Sequence, residues 1–294
     1  MDESYGKQSA EGSETRRLGS ITFIGAGSLA WSLVSGLLTR GTVAAEDVRV
    51  CNRSSDERLA RFAGLGARTG RVKAELVPGA AVVLLAIKPQ DAVTAVTEVA
   101  PHVTPGSLVI STVAGLPLDF LTTAFPAGVD LARAMPNTSS QAGASVTAIA
   151  VPPGTSEVAL ELAKTTLSGV GSVHVVDEGL LDAVTAVSGS GPAYFYYFVE
   201  SLITAAAEAG LDDQLARALV VETFQGAAAV LKTTGADPAA LRAKVTSARG
   251  TTEAALKVMS EHGLPDTVRQ AVSSAARRSA EIAAGFNALL AKAR

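Results

Sequence analysis

The chain has 294 residues, 48% apolar but only 4% aromatic, so its length allows two domains whose cores are built mainly from Ala, Val and Leu. The 25 basic and 28 acidic residues leave a net charge of -3 without a dense basic patch, which argues against a nucleic-acid partner. A single cysteine, Cys51, excludes an intrachain disulfide and suits a reducing cytoplasm, while His102, His174 and His262 are scattered without ligand spacing, so no metal is expected.

Residues 1–18 are polar and mixed in charge, and read as a mobile arm that resembles neither a membrane span nor a secretory signal. From Ile21, short β-branched runs recur at 21–24, 48–51, 81–87, 107–112, 129–132, 145–151 and 172–176. Segments with helical apolar spacing lie between most of them, at 29–39, 56–65, 91–99 and 156–167. Nearly continuous apolar runs such as 81–87 fit strands covered on both faces. Strands alternating with helices predict a Rossmann-type, parallel, doubly wound α/β sheet over residues 19–177.

After Asp177 the strand signals stop. Residues 178–294 read as an all-helical domain, with helices near 179–187, 192–210, 213–233, 238–245, 251–262 and 265–290. Several are Ala-rich on more than one face, and a helix apolar around most of its circumference is expected to be buried. In a domain this small, that predicts a homodimer.

Gly25-Ala26-Gly27-Ser28-Leu29-Ala30 follows the first strand and opens a helix, in the GxGxxA pattern of a dinucleotide site. Gly25 permits the tight turn, Gly27 lets a pyrophosphate approach the backbone, and Ala30 keeps helix and strand close. The free N–H groups and positive dipole end of the helix then face the phosphates. At the end of the second strand an NAD site usually offers a carboxylate, whereas this chain has Asn52-Arg53-Ser54. Arg53 and the Ser54 hydroxyl suit a 2′-phosphate, so NADPH is favoured, with NADH as an alternative; Arg53 also reads as a solvated surface cation. Asp56 and Glu57 complicate the choice unless they belong to the first turn of the next helix. Lys88, after the strand ending at Ile87, and Ala114-Gly115, after the strand ending at Thr112, lie at the ligand edge of such a sheet. Lys88 reads equally well as a surface residue.

Three further segments gather glycine and hydroxyl residues beside predicted helix starts or strand ends: 133–138, which includes Pro136 and Asn137, then 186–194 and 245–252. Such segments expose several backbone N–H groups together, as a small carboxylate requires. In GAGSLA, NRS, RAMPNT and DAVTAVSGSGPAYFY the chain resembles the pyrroline-5-carboxylate reductase family, from Gly19 nearly to its end. The resemblance implies NAD(P)H-dependent reduction of 1-pyrroline-5-carboxylate to proline. It also implies an interlocked helical dimer, with a decamer of five dimers as a further assembly. It implies cofactor contacts from Gly25 to Leu29 and at Pro136 and Asn137, and a substrate site containing Ser188, Gly189, Ser190, Val245, Ser247, Gly250, Thr251 and Thr252. The family loop SPGGTT falls on Ser247 to Thr252, where Ala248 and Arg249 depart from it. Arg249 in place of glycine strains the loop if that position needs φ > 0, or else adds a cation beside the substrate or narrows the pocket. Thr252 is the candidate catalytic residue, placed by the resemblance to hydrogen-bond the ring nitrogen. For Ser188, Ser190, Thr251 and Thr252, helix capping is the competing role.

The resemblance leaves a related cyclic imine, such as piperideine-6-carboxylate, as an alternative substrate. A β-hydroxyacid dehydrogenase would need a lysine early in the helical half, and none occurs between Lys164 and Lys232. A non-catalytic dinucleotide-binding dimer is the remaining alternative, since folds host many functions.

Overall fold

The computed structural model describes residues 18–293. Of the arm expected over 1–18, all but Leu18 lies outside the described residues. Leu18 itself is buried, and its N–H donates to the Thr42 carbonyl at 2.9 Å, so the core begins one residue earlier than expected. The chain forms two compact units: one runs to Glu178 and also takes in the chain from Phe286 onward, and the other is Gly179–Gly285. The sequence assigned the end of the last helix to the helical half. Phe286 is instead buried in the first unit, edge-on to Phe120 with ring centres 6.1 Å apart.

In the first unit, β1 (Ile21–Ile24) leads into α1 (Ser28–Thr39), and β2 (Val48–Cys51) into α2 (Asp56–Ala63). Then come β3 (Arg68–Gly70), α3 (Lys73–Leu76), β4 (Val82–Leu85), α4 (Ala92–Val99), β5 (Leu108–Ser111) and α5 (Leu118–Ala124). The unit closes its sheet with β6 (Asp130–Met135), β7 (Ser145–Ala150), α6 (Glu157–Ser168) and β8 (Gly171–Val175). The sheet order is β3-β2-β1-β4-β5-β6-β7-β8. Its first six strands follow the dinucleotide-binding order 3-2-1-4-5-6, which reverses direction between β1 and β4.

The strands of β1, β4 and β5 are buried at every position, which explains the unbroken Val and Leu run of β4 and the few polar residues, Thr22 and Ser111, of the other two. Leu33, Val34 and Leu37 of α1 pack on this sheet, with Phe23, Val50, Leu84 and Ile110 beneath. The expected parallel sheet needs one correction: β6 and β7 pair antiparallel, with Arg133 opposite Ala150. The link from Met135 to Ser145 is too short for a parallel crossover, which takes a dozen or more residues. The elements β3, α3 and α5 were not foreseen, and β3 is a polar three-residue edge strand with no apolar alternation to reveal it.

The second unit contains α7 (Leu181–Val184), a π-helical turn at Thr185–Gly189, α8 (Gly191–Glu208), α9 (Asp213–Thr234), α10 (Pro238–Lys244), α11 (Thr251–Glu261) and most of α12 (Leu264–Ala293). The single helix expected at 179–187 is therefore short and runs into a widened turn. Asp212 caps α9 by accepting from Leu215 N–H at 3.0 Å, and Asp237 caps α10 through Ala240 N–H. The Ser279 hydroxyl donates to Asp182 at 2.6 Å, tying α12 to α7.

Candidate active site

The nucleotide end is built at the reversal point of the sheet. Gly25 leaves β1 with φ 109, its N–H donating to the Cys51 carbonyl at 2.8 Å. A Cβ there would lie 2.2 Å from the Ala86 carbonyl oxygen, so only glycine fits. Gly27 is the N-cap of α1 and offers no side chain to its first-turn N–H groups, and a Cβ built on it meets nothing within 4 Å. That open space over unsatisfied amides suits a pyrophosphate.

A groove of about 380 Å³ runs from Gly25, Ala26, Gly27, Ser28 and Leu29 past Asn52, Arg53 and Ser54 to Lys88. Within it the Asn52 Nδ2 atom is buried and has no hydrogen-bond partner. A buried amide left unpaired is costly unless a ligand satisfies it, and a dinucleotide along the β2 end would do so. The residues present therefore fit the group that the fold implies. Arg53 reaches Asp91 at 3.2 Å while 71% exposed, and its carbonyl accepts from Arg71, which is held in turn by Asp56 at 2.5 Å. Asp56 and Glu57 occupy the first turn of α2, where the helix dipole favours them, behind the Ser55 cap.

Sequence reasoning missed the far wall. Lys73 and Glu98 line the groove and pair at 2.6 Å, and the Lys73 ammonium holds the Glu98 carboxyl below the usual carboxylate range. Burial pushes the Cys51 thiol up, only partly opposed by Lys73, which disfavours its thiolate form. No local pattern joins positions 73 and 98, and only the fold brings them together.

Ala114 and Gly115 follow β5, and Pro136 and Asn137 follow β6, along the same edge but off this groove wall; Thr112 lines it instead. Asn137 accepts from Ser139 N–H at 3.1 Å and its own N–H donates to Ser145. Arg133 is buried, and its guanidinium donates at 3.0 Å to Glu178, which also accepts from Leu118 N–H. A wider groove of about 920 Å³ continues along α1, walled by Arg40, Arg58, Arg61 and Lys88 and by no carboxylate.

In the second unit, Ser188 and Gly189 end the π-helical turn and Ser190 stands at the N-cap position of α8. The Ser190 hydroxyl makes no cap hydrogen bond, although its N–H donates to Thr185 at 2.8 Å. Tyr194 donates its hydroxyl to the Ala186 carbonyl at 3.0 Å, pinning this segment. Val245 ends α10 and is exposed. A tight turn follows, closed by Gly250 N–H donating to the Ser247 carbonyl at 3.0 Å. Arg249 takes φ 61, so the strained geometry considered for this position is the one adopted. Gly250 is the N-cap of α11, so neither Thr251 nor Thr252 caps it. Because Gly250 N–H is committed to Ser247, the amides presented at this helix start are those of Thr251 and Thr252 rather than all three. Among the described residues no cluster of three His, Cys, Asp or Glu could hold a metal.

The strand order, the glycine turn and the unpaired Asn52 amide define a dinucleotide-binding protein of the doubly wound α/β class. Residues 178–282 match the family model of pyrroline-5-carboxylate reductase dimerisation, and 20–115 match that of NADP oxidoreductase, coenzyme F420-dependent. Pyrroline-5-carboxylate reductase 1 of Bacillus spizizenii is 38% identical over 266 residues, 89% of each chain. The chain belongs to the pyrroline-5-carboxylate reductase family. The solved pyrroline-5-carboxylate reductase of Coxiella burnetii is 32% identical, with a TM-score of 0.83 over 90% of this chain and 99% of that one. The Plasmodium falciparum pyrroline carboxylate reductase, solved with NADP bound, shares the fold at 24% identity and a TM-score of 0.80, over 90% of this chain and 98% of that one.

Proposed function

We propose that the chain reduces 1-pyrroline-5-carboxylate to L-proline with NAD(P)H, the closing reaction of proline biosynthesis. Family membership over nine-tenths of the chain carries this reading. The dinucleotide groove and the glycine-capped start of α11 supply the two binding ends such a reaction needs. NADPH is preferred, because Arg53 and Ser54 stand where an NAD site would carry a carboxylate. The cofactor, held by Gly25 to Leu29, Asn52 to Ser54 and Lys88, supplies a hydride when bound.

The chain's own residues have a modest task. A protonated imine is already electrophilic, so alignment matters more than a strong general acid. The N–H groups of Thr251 and Thr252 hold the ring carboxylate, with Ser188, Gly189, Ser190, Val245, Ser247 and Gly250 around it. The Thr252 hydroxyl accepts a hydrogen bond from the protonated ring nitrogen and keeps the ring in register. Ala114, Gly115, Pro136 and Asn137, at the next strand ends, would hold the nicotinamide half. The chain works as a cytoplasmic homodimer, and five such dimers make a decamer.

One assay tests the reading: NADPH absorbance is followed with pyrroline-5-carboxylate, with NADH in place of NADPH, and with a β-hydroxyacid plus NADP⁺. Consumption with the imine acid, faster with NADPH, is expected. Turnover of the β-hydroxyacid, or dinucleotide binding with no turnover at all, overturns it.

A further inference from the structure

We propose that Glu253 is a positioning residue for the substrate turn, its carboxylate doing for Arg249 what a glycine would do by conformation alone. The inference rests on the functional reading above. The turn closes with Gly250 N–H on the Ser247 carbonyl, and among the described residues Arg249 is the only non-glycine with positive φ. Positive φ at the second corner and not at the first is the pattern of a type II turn, which favours Pro at the first corner and Gly at the second. This chain has Ala248 and Arg249 there. Left-handed backbone is costly for a residue with a Cβ, so the turn holds its shape against the preference of Arg249.

What holds it is visible. The Glu253 Oε2 atom accepts a hydrogen bond from Arg249 N–H at 2.6 Å. Type I and type II turns differ by a flip of the central peptide, and here the N–H of that peptide belongs to Arg249. Fixing that one N–H therefore selects the turn type. Glu253 is in the first turn of α11, where a carboxylate also meets the positive end of the helix. A flip would redirect the chain entering Gly250, where a Cβ would already lie 2.5 Å from Ser247 Oγ. The amides of Thr251 and Thr252 follow directly.

The test uses the full chain and steady-state reduction of pyrroline-5-carboxylate by NADPH. Glu253→Ala should raise KM for the imine acid about tenfold, which corresponds to about 1.4 kcal/mol, with kcat and KM for NADPH unmoved. Glu253→Gln keeps an acceptor oxygen and should stay close to the unsubstituted chain. Adding Arg249→Gly to Glu253→Ala should restore KM, because glycine takes positive φ without help. Amide exchange at Arg249 should be faster in Glu253→Ala, a readout that needs no turnover. An unsubstituted chain inactive on the imine acid overturns the functional reading and the positioning role together. An active chain whose KM is indifferent to Glu253→Ala, or whose loss Arg249→Gly does not repair, overturns the positioning role alone.

Discussion

At the scale of single residues, the energetics favour a few polar contacts over any strong acid or base. Thr252→Ala should lower kcat/KM by about 1.5–3 kcal/mol, the worth of one polar contact to a charged group; unchanged activity would remove Thr252 from the mechanism. Arg53 offers a second test. Its pair with Asp91 joins a largely exposed guanidinium to a half-buried carboxylate, and a pair this open to water contributes little. A 2′-phosphate can therefore draw Arg53 away from Asp91 at small cost and gain a charge-assisted contact. Arg53→Ala should raise KM for NADPH about tenfold, the loss of one such contact, and leave KM for NADH nearly alone. Asp91→Asn should move KM for NADPH the other way. Equal effects on both cofactors would show that Arg53 does not read the phosphate. The sequence singled out Arg53 because its type is unusual at that strand end. Asp91, Lys73 and Glu98 gave no such sign, since Lys73 reaches the groove from α3 while Asp91 and Glu98 reach it from the start and end of α4.

At the scale of elements, legibility followed locality. The step from β1 to α1 was readable because turn, phosphate amides and helix packing are encoded within six consecutive residues. The buried strands were readable from short β-branched and apolar runs, of which β4 alone has no polar interruption. What escaped was decided by neighbours. β3 exists because it pairs with β2, with Arg49 beside Arg68, and its own three residues carry no strand signal. The π-helical turn at Thr185–Gly189 was hidden because one wider turn leaves helical composition unchanged. The antiparallel β6–β7 pair followed from link length, a clue present in the sequence but outweighed by the alternating pattern. Stability should concentrate where the sheet is driest. Leu84 is fully buried between β1 and β5, so Leu84→Ala should cost roughly 2–5 kcal/mol in urea unfolding of the intact protein. A loss below about 1 kcal/mol would mean that the site collapses around the missing side chain.

At the scale of the whole molecule, the two units differ in what they bury. The first buries apolar residues on both faces of its sheet: a continuous cluster with Phe23, Val50, Leu84 and Ile110 on one face, and Ile24, Val83, Leu85 and Val109 on the other. In the second, taken alone, only Leu181, Ala186, Gly191, Ala216, Val220 and Ser279 are buried among the described residues. Six buried residues cannot offset the ordering entropy of about a hundred, at roughly 1–2 kcal/mol for each backbone. Its apolar surface lies outside: Phe195, Tyr196, Tyr197 and Leu202 on α8, and Leu215, Leu219, Phe224 and Leu231 on α9. On α9 every residue but Ala216 and Val220 is exposed, so a helix 22 residues long is left largely uncovered by its own chain, even though Phe224 meets Phe195 of α8 with ring centres 5.6 Å apart. The matched dimerisation family supplies the missing partner, a second copy of the same helices. Folding of this half is then inseparable from association. Two measurements follow. The thermal midpoint of the unsubstituted protein should rise with concentration, as mass action requires. Leu219→Glu, which places a charge on the exposed face of α9, should lower the sedimentation mass or leave the helical half unfolded by circular dichroism. A Leu219→Glu protein that stays dimeric, with its midpoint unchanged, would place the contact surface on another face of these helices.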